Sequence, residues 1–96
     1  MDERNKLVVL YDYYGELLSD SQKKYFEDYY FNNLTLQEIA DNNNISRNAV
    51  HKILKDMLKK LDYYEEKLNL YDNKKKIELI IKDLDSDIKE KIEELI

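Results

Sequence analysis

The chain has 96 residues, no proline, no cysteine and one glycine, and 39% of its residues are charged. A sheet protein needs turn residues at short intervals, so this composition predicts a single, all-helical domain. Disulfides and thiolate metal sites are excluded, and no apolar run approaches the roughly 20 residues of a membrane span. The first residues lack the apolar segment of a signal peptide, so we expect a cytoplasmic protein without membrane insertion.

Two amphipathic helices are predicted in the first third of the chain. The first should span about residues 3–18, and its apolar face consists of residues that recur at helical spacing: Leu7, Leu10, Tyr11, Tyr14, Leu17 and Leu18. Gly15 lies near its end, where the helix should loosen or be closely approached by a neighbouring group. Ser19 and Gln22 form a capping box, so the second helix should span about residues 20–32.

Nine tyrosines support two interpretations. Aromatic rings can stack on nucleic-acid bases, or they can pack in a core or a dimer interface. Four of the tyrosines lie at core spacing in the first two helices, which favours packing or an interface: Tyr11, Tyr14, Tyr25 and Tyr29.

Residues 34–61 predict two helices joined by a short turn, as in a helix-turn-helix. Thr35 and Glu38 form a capping box at the start of the first, and Ser46 suits the N-cap of the second, the recognition helix. Ala40 is small enough for a close approach of the two helices. Four apolar residues should form the core beneath the turn: Ile39, Ile45, Val50 and Ile53.

Two asparagines occupy the predicted turn. Asn44 stands where these motifs often have glycine, and asparagine tolerates the positive φ required there. Asn43 stands where an apolar residue is usual, so its amide should weaken the turn or remain in water.

The recognition helix is predicted to continue past Leu61, which gives it an unusual length, and to be interrupted at Asn69 or Asn73. Residues 74–96 predict a further amphipathic helix that docks on the body or on another chain. Its apolar seam has alternating spacings of three and four: Ile77, Ile81, Leu84, Ile88, Ile92 and Leu95.

Charge is distributed unevenly along the chain. The net charge is −5, yet residues 46–61 carry five bases and one acid. Such a segment can contact nucleic acid while acidic flanks repel it elsewhere, or it can be an ordinary solvated helix face. The candidate nucleic-acid-binding residues are Ser46 and a basic stripe that we define as Arg47, Asn48, His51, Lys52, Lys55 and Lys59. The first three stripe residues could reach base edges, and the lysines could meet phosphates.

Enzyme activity is not expected. His51 is the only histidine, so a plain exposed residue is favoured over a metal ligand or a general base. Helical spacing splays Asp83, Asp85 and Asp87, which form neither a calcium loop nor a paired acid and base. One glycine cannot build a phosphate-cradling loop, and we predict no catalytic residue, no cofactor and no metal.

The chain resembles the YlxM-like helix-turn-helix proteins of bacteria, whose motif is similar to the DNA-binding region 4 of sigma factors. The resemblance rests on LYDYYGELLSDSQKKYFEDYY, LTLQEIA, ISRNAV and YYEEKLNL, at residues 10–30, 34–40, 45–50 and 63–70. It implies an all-helical protein that tends to form homodimers. It also implies a role in the signal recognition particle pathway, because genes of the family lie beside those of that particle.

We therefore predict a compact helical bundle that contains a sigma region 4-like helix-turn-helix and an additional C-terminal amphipathic helix. Residues 1–96 should form one domain, with an N-terminal helix at 1–18, a helix-turn-helix core at 19–61 and a helical extension at 62–96.

The function hypothesis is a regulator of the signal recognition particle pathway that binds nucleic acid, DNA in preference to RNA, through its recognition helix. One alternative is a dimeric interaction module that modulates the particle's GTPase or its RNA without binding DNA. Another is a sigma-like decoy that competes for polymerase.

Overall fold

The computed structural model describes residues 3–96, with side chains from residue 4 onward, so residues 1 and 2 of the predicted domain lie outside the described residues. The described part is helical and has no strand, which confirms the all-α prediction. Its elements are α1 (Glu3–Tyr14), a 3-10 turn (Gly15–Leu17), α2 (Asp20–Tyr30), α3 (Leu36–Asn43), α4 (Arg47–Leu68), α5 (Leu70–Ile81) and α6 (Ser86–Glu93). No helix in this range combines the length and the apolar character needed to cross a membrane.

Two capping boxes begin α2 and α3, as the sequence predicts. The Ser19 hydroxyl accepts a hydrogen bond from the backbone N–H of Gln22 at 3.2 Å, and the Gln22 side chain accepts one from the N–H of Ser19 at 3.0 Å. Thr35 and Glu38 form the same reciprocal pair at 3.1 and 3.0 Å. Each box satisfies two backbone donors that a helix start leaves unpaired, so both starts are set by residues within one turn.

Helix α4 lies at the centre of the body, which we define as α1 to α4, and packs against the other three helices. Its inward face consists of Val50, Leu54, Met57 and Leu61, all buried. Opposite them, Phe26 is completely buried and stacks on Tyr11 with ring centroids 4.1 Å apart. These contacts bury apolar area on all four helices, and this burial is the main stabilisation of the body.

Helices α5 and α6, which we call the arm, extend away from the body. The structure measures 54 × 25 × 23 Å with a radius of gyration of 16.8 Å, whereas a compact chain of this length would have about 12 Å. Helix α5 contacts α1 and α4, but α6 contributes no residue to the core cluster. Bundle packing is therefore confined to the body.

The structure differs from the sequence-based prediction at two helix boundaries. The first helix ends at Tyr14 and not near residue 18, because the chain changes to a 3-10 turn at Gly15. The loosening and close approach predicted at Gly15 are confirmed, since a Cβ there would lie 3.1 Å from the ring of Tyr11. The single helix predicted for residues 74–96 is wrong, because the chain turns after Ile81 and α6 begins anew. Asp85 causes the second start, since its carboxylate accepts a hydrogen bond from the N–H of Asp87 at 3.2 Å.

Three asparagines provide the left-handed backbone conformations that end helices in this glycine-poor chain. Asn33, Asn44 and Asn69 have φ values of 56°, 55° and 55°. Asparagine adopts this region more readily than other non-glycine residues. The predicted positive φ at Asn44 is confirmed, and of the two predicted interruptions the structure uses Asn69.

Candidate nucleic-acid interface

The turn between α3 and α4 is held by short local hydrogen bonds. The N–H of Ile45 donates to the carbonyl of Ala40 at 3.1 Å, and the Ser46 hydroxyl accepts from the N–H of Ala49 at 3.0 Å. Asn43 does not weaken the turn, because its amide donates to the carbonyl of Ile39 at 2.7 Å and is half-buried. That bond occupies a carbonyl near the end of α3 and makes the asparagine compatible with the motif.

A small core fixes α4 against α3. Ile39, Ala40 and Val50 are completely buried, and Ile45 and Ile53 are half-buried against them. The predicted core beneath the turn is therefore confirmed, and it holds the start of α4 in one position relative to α3.

All predicted site residues lie on the surface of the body. Ser46 and the six residues of the basic stripe are exposed. With 3.6 residues per turn, four stripe residues lie on the side of α4 opposite to the buried Val50, Met57 and Leu61, and Arg47 and His51 lie on the flank between the two sides: the four are Asn48, Lys52, Lys55 and Lys59. The structure thus brings the seven predicted residues to one open face, about 18 Å long from Arg47 to Lys59.

The stripe cations form no ion pair with the described carboxylates, although the exposed Asp56 lies four residues after Lys52 on the same helix. Among the described side chains, no carboxylate lies within 4.0 Å of Arg47 or of the stripe lysines. The ion pairs of the described residues lie elsewhere and join Lys23 with Glu16, Lys76 with Asp72, and Lys89 with Glu93. Farther along the same face of α4, Asp62 and Glu66 are exposed and reverse the sign of the surface. The positive surface therefore ends about one turn beyond Lys59.

Folding adds a cation that sequence patterns did not identify. Arg4 on α1 donates a hydrogen bond to the carbonyl of Tyr30 at 2.7 Å, and its guanidinium lies 5.4 Å from the centre of the Tyr30 ring. Arg4 and Arg47 line the same surface depression. Because Arg4 is 43 positions away in the chain, only the packing of α1 beside α4 places it there.

The other half of α4 carries a polar cluster that also escaped prediction. The Glu65 carboxylate accepts hydrogen bonds from the Tyr14 hydroxyl at 2.5 Å, from the N–H of Tyr71 at 3.1 Å and from the N–H of Asp72 at 2.9 Å. The Tyr14 oxygen accepts from the N–H of Leu70 at 3.1 Å. Burial and then the hydrogen bond to Glu65 raise the pKa of Tyr14 to about 12. The cluster satisfies the free donors at the start of α5 and attaches the arm to the body.

The tyrosines contribute mainly to packing. Tyr14 is buried, and Tyr11, Tyr25 and Tyr29 are half-buried against the core, as their spacing predicts. Leu17 departs from the predicted apolar face, because the 3-10 turn rotates it outward and leaves it 53% exposed.

Comparison with known proteins places the chain in a family. The family model UPF0122, described as "Putative helix-turn-helix protein, YlxM / p13 like", matches residues 1–96. A UPF0122 protein of Fusobacterium nucleatum is 42% identical over all of this chain and 94% of its own length. A UPF0122 protein of Clostridium kluyveri is 46% identical over 81% of this chain and 70% of its own length, and one of Malacoplasma penetrans is 40% identical over 95% and 91%. The chain belongs to the UPF0122 family of YlxM-like helix-turn-helix proteins.

Proposed function

We propose that this protein is a non-enzymatic, DNA-binding regulator that contacts DNA through Ser46 and the basic stripe. The observation that carries the proposal is the exposure of the stripe with no ion pair between its cations and a described carboxylate. Unpaired cations at one face attract phosphates, and α3 holds the start of α4 where such a helix can enter a major groove.

The two halves of the stripe would act differently. Arg47, Asn48 and His51 lie in the first turns of α4, where side chains of recognition helices reach base edges. Lys52, Lys55 and Lys59 would contact phosphates and set the orientation of the protein without reading sequence.

A charge-reversal experiment tests the contact surface. The double variant Lys52→Glu with Lys55→Glu should abolish binding of duplex DNA in a gel-shift assay. The matched control is Lys60→Glu with Lys67→Glu, which makes the same charge change on the same helix at exposed positions about 60–140° around the helix axis from the stripe lysines and should retain binding. Both pairs are exposed, so stability should change by less than about 0.5 kcal/mol per site. Equal losses in the two variants would reject the stripe as the contact surface.

Salt dependence tests the same proposal independently. Each phosphate contact contributes a slope of about −0.9 to log affinity against log salt, so the four cationic side chains of the stripe predict about −3.6. A flat response would contradict phosphate contact.

We also propose a cytoplasmic homodimer with a role in the signal recognition particle pathway. The resemblance of residues 10–30 and 63–70 to YlxM-like proteins supports the pathway, and the exposed apolar residues of the arm support self-association. We further propose that residues 1–96 act as one domain.

The second candidate function is a dimeric interaction module that modulates the particle's GTPase or its RNA without binding DNA. The acidic, apolar arm favours this alternative because it provides a surface for another macromolecule. Parallel gel-shift series with duplex DNA, the particle's RNA and the GTPase separate the two. Binding of RNA or GTPase without DNA would select the module, and binding of DNA would select the regulator.

A further inference from the structure

An apolar groove runs beside the basic stripe. Three adjoining depressions form this groove, and the one beside His51 and Lys55 has a volume of about 310 Å³. The floor of the groove consists of Tyr29, Tyr30, Leu36, Leu54 and Leu58. Its rim carries Arg4, Arg47 and Lys55, and none of the described residues that line it is acidic. We call this feature the tyrosine groove. It is apolar at the base and positive at the edge.

The end of the arm has the complementary character. Ile88, Ile92 and Leu95 follow each other at i, i+4 and i+7, with Leu95 two residues beyond the end of α6. Ile88 and Leu95 are 50% and 84% exposed, and Ile92 is half-buried. Residues 82–96 contain six acids and three lysines. An amphipathic helix with anchors at this spacing is the form that docks into an apolar groove.

We propose that α6 of a second copy of this chain docks in the tyrosine groove, and that two copies exchange arms reciprocally. Apolar anchors would enter the groove, while the acidic flanks of α6 would face its cationic rim. Helix α6 has eight residues and is about 12 Å long, so it fits along the roughly 16 Å of α4 between Arg47 and Leu58. Reciprocal exchange forms every contact twice and closes the dimer.

The chain's own arm is badly placed for this groove. The arm begins at Asn69, about 16 Å along α4 beyond Leu58, at the opposite end of the body from the groove. The Tyr14–Glu65 cluster attaches the start of α5 there, and none of the described residues that line the groove belongs to the arm. To reach its own groove, the arm would have to break that cluster.

Charge also argues against pairing of two arm ends with each other. Two segments with the acidic excess of residues 82–96 repel, whereas the groove rim offers Arg4, Arg47 and Lys55. Opposite charges across an interface favour the correct partner and penalise like-charged alternatives.

This inference rests on the proposed function for one consequence. A docked α6 would cover Arg47, His51 and Lys55, which are part of the proposed DNA-binding surface. Dimer formation and DNA binding would then exclude each other, so that the arm regulates access to the stripe.

Single-cysteine crosslinking tests the docking, because the natural chain has no cysteine. We would mix isotopically labelled Leu58→Cys with unlabelled Ile92→Cys under oxidised glutathione and identify disulfides by mass spectrometry. A mixed Leu58–Ile92 disulfide is expected, since docking brings groove and arm within the 7 Å Cα separation that a disulfide requires. Lys60→Cys is the matched control, because it lies near Leu58 but faces away from the groove. Leu36→Cys provides a second groove position if Leu58→Cys fails to fold.

Three results would overturn the proposal. Disulfides between two Ile92→Cys chains without mixed products would show that arm ends pair with each other. Crosslinking to Lys60→Cys equal to that at both groove positions would show random collision. Monomers by light scattering with no disulfide at either groove position would show that no docking occurs.

The effect on DNA separates failure of this inference from failure of the proposed function. Ile88→Asp should give monomers. At a protein concentration where dimer formation fills about two-thirds of the grooves of the natural chain, only about one-third of its stripes are free, so the variant should bind DNA with about threefold higher apparent affinity. Ile80→Asp, at a 77% exposed position outside the seam, should change neither quantity. A mixed disulfide in a protein that does not bind DNA would support the docking of α6 and contradict the proposed DNA-binding function. DNA binding that leaves the mixed disulfide undiminished would reject mutual exclusion.

Discussion

The body and the arm contain apolar residues in similar proportion but use them differently. In the body, apolar residues from four helices converge on α4 and are buried. In the arm, Ile81 is buried, while Leu79 and Ile80 are 68% and 77% exposed. A helix with one apolar stripe needs a second surface to cover it, and in this chain α4 provides that surface for the body and for only part of α5. Amphipathic sequence therefore predicts a helix but not what the helix packs against.

The largest contrast should come from truncating one large side chain in each region. Phe26→Ala removes a completely buried ring and should lower the free energy of unfolding by about 3–5 kcal/mol. Ile80→Ala should change it by less than about 0.5 kcal/mol, because that side chain is already in water. Urea unfolding followed by circular dichroism measures both. Similar losses at the two positions would contradict the division into a packed body and an open arm.

The junction between the regions should have an intermediate effect. Tyr14→Phe removes the hydroxyl that bonds Glu65 and Leu70, and the lost hydrogen bonds should cost about 1–2 kcal/mol. Hydrogen exchange should accelerate at the amides of Leu70 and Asp72, where the arm begins. Tyr63→Phe is the control, since Tyr63 is 55% exposed. Unchanged exchange in Tyr14→Phe would show that the cluster does not attach the arm.

Alkaline pH should weaken the same junction. The pKa of Tyr14 is about 12 in the folded protein and 10.0 for an ordinary tyrosine, so the unfolded chain loses this proton first. The contribution of Tyr14 to stability is therefore complete below pH 10 and decreases as the pH rises towards 12. Thermal unfolding between these values should show a steeper decline for the natural chain than for Tyr14→Phe. Parallel declines would contradict the raised pKa.

The smallest contrast compares two asparagines with the same backbone conformation. Asn44→Ala should lower the free energy of unfolding by about 1 kcal/mol, because alanine at positive φ is strained within the body. Asn69→Ala carries the same strain but should mainly accelerate hydrogen exchange in α5, where the arm can yield locally. Glycine at either position should remove the strain. Equal global losses at both positions would show that the arm unfolds together with the body.

Much of the fold could be predicted because its signals are local. The capping pairs Ser19–Gln22 and Thr35–Glu38 act over three residues, and the positive φ of Asn44 follows from its place in the turn. Helical periodicity likewise placed four residues of the stripe on the side of α4 opposite to its buried residues, with Arg47 and His51 on the flank. The binding role of the stripe stays a prediction, since charge and exposure do not identify a ligand.

Other features depend on residues that are distant in the chain. Arg4 bonds Tyr30 across 26 positions, and Tyr14 bonds Glu65 across 51, so no periodicity relates the partners. Gly15 and Asp85, the residues at the 3-10 turn and at the start of α6, are visible in the sequence. The apolar periodicity continues across both positions, however, and by itself predicts that the helix continues there.

The sequence alone determined that the chain forms helices, where most of them begin, and that one helix carries a positive face. These properties depend on hydrogen bonds and side-chain spacing within a few residues. Tertiary structure decided that α1 brings Arg4 beside Arg47, that Glu65 joins the arm to the body, and that the apolar seam of the arm is buried at Ile81 but exposed at Leu84, Ile88 and Leu95. These outcomes depend on which helices meet in space, and packing of the whole chain selects those contacts.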